Sequence, residues 1–273
     1  RGWNLVGNPC TVSATSSLPY YRMNDEGSAL KTETESTTVA AMEGVFVQAT
    51  ASNQAVTFTA QTRGGEKSMV TALNIQVGPS TGSGTSILDN AIIRFDGGQT
   101  LEKFSFREGS TKIYLPQDGT YYAIACAEST GEMPLNFKAK ENGTYTLSVN
   151  VDNVELGYLH LIDNLTGADV DLLTQASYTF QAKITDYASR FRLVFATQTD
   201  ADTDADAPFA FISNGNIIIN GEGTLQVVDM TGRVIRCTDG VHTVSTNGMP
   251  AGVYVLRLID GDVIRTQKMV IQT

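Results

Sequence analysis

The sequence predicts an all-β protein: an antiparallel β-sandwich body of jelly-roll-like type, followed by a small antiparallel sandwich of about 65 residues, near the lower limit for independent folding. Three observations predict it. Asn-Gly pairs begin at Asn142, Asn214, Asn220 and Asn247, and Asp-Gly pairs at Asp96, Asp118, Asp239 and Asp260; such pairs supply the positive-φ residues of tight hairpins. Between them lie short runs rich in Val, Ile, Thr, Tyr and Phe, at 45–49, 55–59, 72–77, 144–149 and 178–182. No long window carries the 3.6-residue apolar period of a helix.

Taken in order, the body spans 1–196. Its first part, to about Arg63, holds a long polar insert at 24–38 and then two strand-like runs, 42–50 and 54–60. The polar break at 62–67 is read as a sub-boundary or a hairpin. The stretch 78–84 has no apolar anchor and reads as an exposed loop. Strands are expected without interruption from Ile87 to Ala196. Residues 197–208 then carry four Asp, no large apolar side chain and a closing Pro208. Carboxylates that repel one another and have nothing to bury make an extended acidic linker.

The last domain, 209–273, is the most regular. Leu225, Val227 and, past the Thr231-Gly232 turn, Val234 are expected on one buried face. Pro250-Ala251-Gly252 is a second turn and Asp260-Gly261 a third, with an alternating strand between them and a closing strand that carries Lys268. Gly252 lies where the chain should turn tightly, and if its φ is positive a β-branched residue there would be opposed.

This ordered set, Leu225, Val227, Gly232, Val234, Pro250, Gly252, Tyr254 and Lys268, resembles the C-terminal sorting domain of the type IX secretion system of Bacteroidetes. The resemblance covers about a quarter of the chain and implies an Ig-like fold. It also implies outer-membrane secretion and anchoring machinery as the partner, and a secreted or outer-surface location. The family usually opens on a Tyr-Pro-Asn-Pro-like entry, where this chain has Phe211-Ile-Ser-Asn-Gly215. A working signal and a purely structural domain are both open readings. The opening Gly2-Trp-Asn-Leu-Val-Gly-Asn-Pro9, and the stretch from 132–137 through 190–195, are similar to segments found directly ahead of such domains in large surface proteins. Arg1 starts the chain without Met, so the sequence is read as the C-terminal part of a larger exported protein.

Composition narrows the function. A formal charge of −10 and a pI near 4.7 argue against nucleic acid, whose phosphates need a basic footprint, and against anionic membrane surfaces. No run approaches the ~18 apolar residues of a bilayer span, so membrane insertion is not expected. Cys10, Cys126 and Cys237 cannot all pair, and their spacing fits no metal motif. Three free thiols are expected ahead of a Cys10–Cys126 bridge.

Catalytic constellations are not evident, and no enzyme activity or cofactor is expected. His160 and His242 have no ligand-spaced partner, and no Gly-x-Ser-x-Gly elbow accompanies them. Asp163, Asp169 and Asp171 flank a hairpin and read as solvated loop carboxylates rather than a glycosidase pair. The Asp200, Asp202, Asp204, Asp206 run has alternating oxygen ligands, but lacks the Gly and terminal Glu of a calcium loop. Tyr20-Tyr21 or Tyr121-Tyr122 could offer a sugar platform, although one of each pair should face the core. Asn142 and Asn164 open glycosylation sequons. The expected function is that of a non-catalytic part of an exported surface protein. The alternative is an adhesion module for glycan or host matrix.

Overall fold

The computed structural model describes residues 2–24, 27, 29–61, 70–80, 86–104, 109–197, 209–213, 215–219, 221–240, 242–261 and 263–271. The break at 62–67, most of the 78–84 loop, all of the acidic linker except Thr197, and Asn214 and Asn220 lie outside them. The strands of the first part are β1 (Gly2–Gly7), β2 (Ala14–Ser16), β3 (Tyr20–Met23), β4 (Leu30–Glu33), β5 (Thr38–Val39), β6 (Gly44–Ala49) and β7 (Phe58–Ala60). There follow β8 (Ala72–Pro79), β9 (Asp89–Arg94), β10 (Leu101–Glu102), β11 (Lys112–Gln117), β12 (Thr120–Cys126) and β13 (Thr130–Lys138). Next come β14 (Gly143–Asp152), β15 (Leu156–Asp163), β16 (Ala168–Asp171), β17 (Ser177–Ala182) and β18 (Phe191–Thr197). The terminal strands are β19 (Ala210–Ser213), β20 (Asn216–Ile219), β21 (Thr224–Asp229), β22 (Val234–Asp239), β23 (Thr243–Ser245), β24 (Gly252–Asp260) and β25 (Val263–Ile271). The chain is all β among these residues, with no helix.

Five sheets result. Their orders are β1-β6-β3-β4, β5-β2-β7, a long sheet β16-β15-β18-β13-β11-β12-β9-β8-β14-β17 with β10 beside β12, then β19-β20-β23 and β22-β21-β24-β25. In the long sheet β8 runs antiparallel to β9 and β14, whereas β9 and β12 run parallel through Ile92↔Ile124. A parallel pair needs a crossover, and the chain makes it through β10 and β11. The Asp118-Gly119 hairpin between β11 and β12 forms as its sequence predicts: both residues have positive φ, 49° and 76°, and Gln117 stands opposite Thr120.

The chain divides into two compact units: Arg1–Glu128, Met133–Val154 and Leu161–Leu193 in the first, and Ser129–Glu132, Glu155–His160 and Val194–Thr273 in the second. Within the first, strands far apart in the sheet order touch through their side chains. Phe137 on β13 meets Tyr145 on β14 and Phe180 on β17, with ring centroids 5.2 and 5.1 Å apart, and Phe180 meets Phe191 at 4.9 Å. The parts of β13, β14, β17 and β18 in the first unit therefore share an aromatic interior, where edge-to-face packing adds to burial.

Two expectations change here. The insert 24–38 contains β4, which pairs with β3 and buries Thr32, Glu33 and Thr34. It lacks apolar alternation because hydrogen bonds hold it: buried Asn90 accepts from the Thr32 N–H and donates to the Thr32 carbonyl, at 2.8 and 3.1 Å. Tyr20 and Tyr21 are both buried. Strand β3 is covered on both faces, Tyr20 packing with Val45 and Val47 and Tyr21 with Ile92 and Leu101.

Candidate functional site

In the second unit, the sheets β19-β20-β23 and β22-β21-β24-β25 enclose one core. Leu225, Val227, Tyr254, Leu256 and Leu258 fill it from one sheet, and Ile217, Ile219 and Val244 from the other. Of the eight residues singled out by sequence, Leu225, Val227 and Tyr254 are thus interior. The Tyr254 hydroxyl also donates to the Pro250 carbonyl at 2.6 Å, which fixes the turn that leads into β24.

Gly232 has φ +84° in the β21–β22 turn, as a hairpin glycine should. The turn is organised by Asp229, whose Oδ1 accepts from the Thr231 N–H, the Thr231 hydroxyl and the Arg233 N–H at 2.9, 2.6 and 3.0 Å. These bonds, the Thr231 hydroxyl first, hold the Asp229 carboxyl below the ordinary carboxylate range.

Val234 departs from expectation. It is 45% exposed, and Ile235 turns toward the core instead. The register of β21 on β22 shifts between Val227 and Val228, a bulge that carries Val234 to the outer face opposite Val228. Gly252 does not meet the condition set for it. Its φ is not positive, and a Cβ there would meet nothing closer than Tyr254 at 3.9 Å, an ordinary contact. Tyr254, not Gly252, holds the turn, which is why the backbone needs no special conformation.

The bulge brings two of the predicted residues onto one face. Val234, Val228, Val255 and Lys268 are successive cross-strand partners on β22, β21, β24 and β25. Partners opposite one another share a face, so Val234 and Lys268 stand at the two ends of one row. Val270, opposite Val253, flanks the row and is about half exposed; Ile264, also about half exposed, lies beyond the row of Thr266 and Arg257. The row itself is three valines ended by the exposed ammonium of Lys268 on the edge strand, and the next row on that face is polar, with Gln226, Arg257 and Thr266.

Asp163 corrects the solvated-loop expectation. It is 1% exposed and receives Arg190 Nε and Nη2 at 3.1 and 2.8 Å. Arg190 also donates to the Gln181 carbonyl at 2.7 Å and lies over Phe180 and Phe191. Burial pushes the Asp163 carboxyl up, but the bonds from Arg190 and the Leu165 N–H outweigh it and leave it low. Asp171 does serve its turn, accepting from the Leu173 N–H at 2.9 Å.

Sequence reading missed two further buried ionic clusters. Arg94 binds Asp96 through Nε and Nη2 and Glu35 through Nη1, all at 2.7–2.8 Å. Lys103 Nζ meets Asp89 at 2.7 Å, and the second oxygen of Asp89 accepts the Ile113 N–H at 2.8 Å. Burial pushes Asp89 up and Lys103 down, each toward its neutral form. One signal was available: Asp89, Asn90 and Arg94 bracket the apolar Ala91-Ile92-Ile93 and had to be buried with it.

His160 stacks on Tyr158 at 4.2 Å, and the His242 carbonyl accepts the Ile219 N–H. The three cysteines are free. Tyr121 is exposed and packs on Tyr114 at 4.8 Å. Among the described residues no three His, Cys, Asp or Glu converge to hold a metal. No family model, curated protein or solved structure matches this chain.

Proposed function

We propose that the chain is the C-terminal, non-catalytic part of a larger exported surface protein, and that its terminal domain is a type IX sorting signal of the Bacteroidetes kind. In this reading the body is a jelly-roll-like sandwich and the terminal domain is Ig-like. Its seven strands, in sheets of three and four over one core, support that description. So does the Tyr254 tie to Pro250, a bond of tyrosine-corner type.

The observation that carries the proposal is the outer row from Val234 to Lys268. Neither end residue contributes to the core, so folding alone gives no reason for a valine and a lysine at these places. A folded signal must be read from its surface, and an exposed valine row ended by a cation can dock on a protein partner. The partner would be the outer-membrane secretion and anchoring machinery, and the destination the cell surface or the medium.

The test is a passenger fused to residues 197–273, scored for surface delivery in a host that has the system. The parent fusion should be delivered. Lys268→Ala and Val234→Asp should lower delivery while the far-ultraviolet spectrum and melting temperature stay unchanged. Retention of the parent fusion in a host that exports a known cargo would overturn the sorting reading. It would leave the domain structural and favour adhesion to glycan or host matrix.

A further inference from the structure

We propose that a cleft in the first unit binds a neutral, polyhydroxylated ligand: a saccharide, held by one apolar face and by its hydroxyls. The inference does not depend on the sorting reading. The cleft has a volume of about 490 Å³, within the range typical of small-molecule sites. It is assembled from the end of β4 and the turn to β5, and from β8, β9 and the end of β14.

The lining has three parts. Val70, Ala72 and Ile92 are buried and form a small apolar floor. The segment from Glu33 through Thr34, Ser36, Thr37 and Thr38 contributes hydroxyl-bearing residues to the lining, with the Glu33 carboxylate paired to Lys31 at 2.8 Å. Asn74, Asp152, Asn153 and Gln61 supply amides and a second carboxylate on the other side. This set suits vicinal hydroxyls, because carboxylates accept, amides both donate and accept, and hydroxyls rotate to either role. The apolar floor matches the C–H face that a pyranose presents.

Charge excludes other ligand classes. Among the described residues no Lys or Arg lines the cleft and two carboxylates do, Glu33 being paired with Lys31 at 2.8 Å and Asp152 standing on β14. A phosphate, a sialic acid or a uronic acid would meet the Asp152 carboxylate with no cation of the described lining to receive it. With no aromatic side chain among the described lining residues, a flat hydrophobic ligand would find little to stack on.

The walls are held in place by groups behind them. The Tyr20 hydroxyl donates to the Thr37 carbonyl at 3.0 Å, and Arg22 Nη2 donates to the Thr38 carbonyl. The Thr34 and Ser36 hydroxyls are 2.8 Å apart, and the Thr37 N–H closes a turn on the Thr34 carbonyl at 3.1 Å. Asn153 takes a left-handed φ of 52° and donates through Nδ2 to the Val70 carbonyl at 3.0 Å. Asn150 Nδ2 positions Asp152 at 2.9 Å, and Asn90 Nδ2 reaches Asn74 Oδ1 at 3.5 Å. Polar groups fixed in this way lose little freedom when a ligand arrives.

The experiment uses the full chain, isotopically labelled, and titrates methyl glycosides of glucose, galactose, mannose and N-acetylglucosamine, with lactose, maltose and cellobiose. At least one of these should shift the side-chain amide resonances of Asn74 and Asn153 and receive saturation transfer, with millimolar affinity or better. Asn74→Ala and Asp152→Ala, both outside the apolar core, should each weaken binding at least about tenfold while the rest of the spectrum is preserved. Glucuronate and N-acetylneuraminate should give no response. Silence from all the neutral saccharides, binding indifferent to both substitutions, or equal binding of the acidic sugars would each overturn the proposal.

Discussion

Glycines in the terminal unit differ in what they permit, and the difference can be read one residue at a time. Gly223 has φ +118°, and a Cβ there would lie 2.3 Å from the Ile259 carbonyl oxygen and 2.9 Å from its carbon. Both atoms are backbone in β24, so neither can move aside as a flexible side chain would. Gly252, which the Pro-Ala-Gly motif made the natural suspect, meets no such obstacle. Gly223→Val should therefore destabilise the second unit by at least about 1–3 kcal/mol from backbone strain alone, while Gly252→Val should change its melting little. Denaturant unfolding, followed by hydrogen exchange in β21 and β24, compares the two variants. Equal loss in both would show that the turn before Tyr254 is as constrained as its sequence suggested. The motif was legible and its conformation was not, because a Tyr hydroxyl four residues from a carbonyl can hold a turn without positive φ.

Strands show the same division between what alternation reveals and what it hides. Where one face meets an apolar core and the other is polar or only half-buried, as in β6, β8 and β21, hydrophobic alternation reads directly. Strand β9 is buried at all six positions, including Asp89, Asn90 and Arg94, so its polar residues look misplaced until their partners are known. Those partners lie far off in the chain: Glu35 for Arg94, Thr32 for Asn90 and Lys103 for Asp89. Strands β15, β17 and β18 are tied in a similar way by Asp163 and Arg190, with the Tyr178 hydroxyl donating to Asp163 at 3.1 Å and Asp186 facing Arg190 at 3.5 Å. Asp163→Asn should cost about 3–5 kcal/mol near neutral pH, since it leaves a buried guanidinium without its main partner. The sign with pH follows from the lowered carboxyl. A carboxylate held low in the fold adds stability above its unfolded value of about 4 and loses it as pH falls through the folded value. The gap between the parent and Asp163→Asn should therefore be constant from pH 7 to about 5 and narrow below about 4. A gap that stays constant to pH 3 in urea melts would mean that Asp163 stabilises by packing alone.

Across the whole molecule, the order of the long sheet was beyond sequence reading, since β13-β11-β12-β9-β8-β14 follows no pattern that local alternation encodes. Charge, by contrast, was legible and has a direct consequence. Residues 209–273 contain five acidic and five basic side chains, so the entire excess of −10 belongs to residues 1–208. The cations buried in that region are already committed to carboxylates: Arg94 to Glu35 and Asp96, Lys103 to Asp89, and Arg190 to Asp163. They are not free to meet phosphates. A polyanion approaching the chain would meet net repulsion from the first part and no net attraction from the second. Screening at physiological salt would weaken that repulsion without reversing it. The full chain should therefore leave a labelled DNA duplex and a single-stranded RNA unshifted even at about 50 mM salt, where counterion release favours binding most. It should also pass through a heparin column and be retained on an anion exchanger. A complex whose affinity falls steeply with added salt would reveal a basic footprint, and the exclusion of nucleic acid drawn from composition would fail.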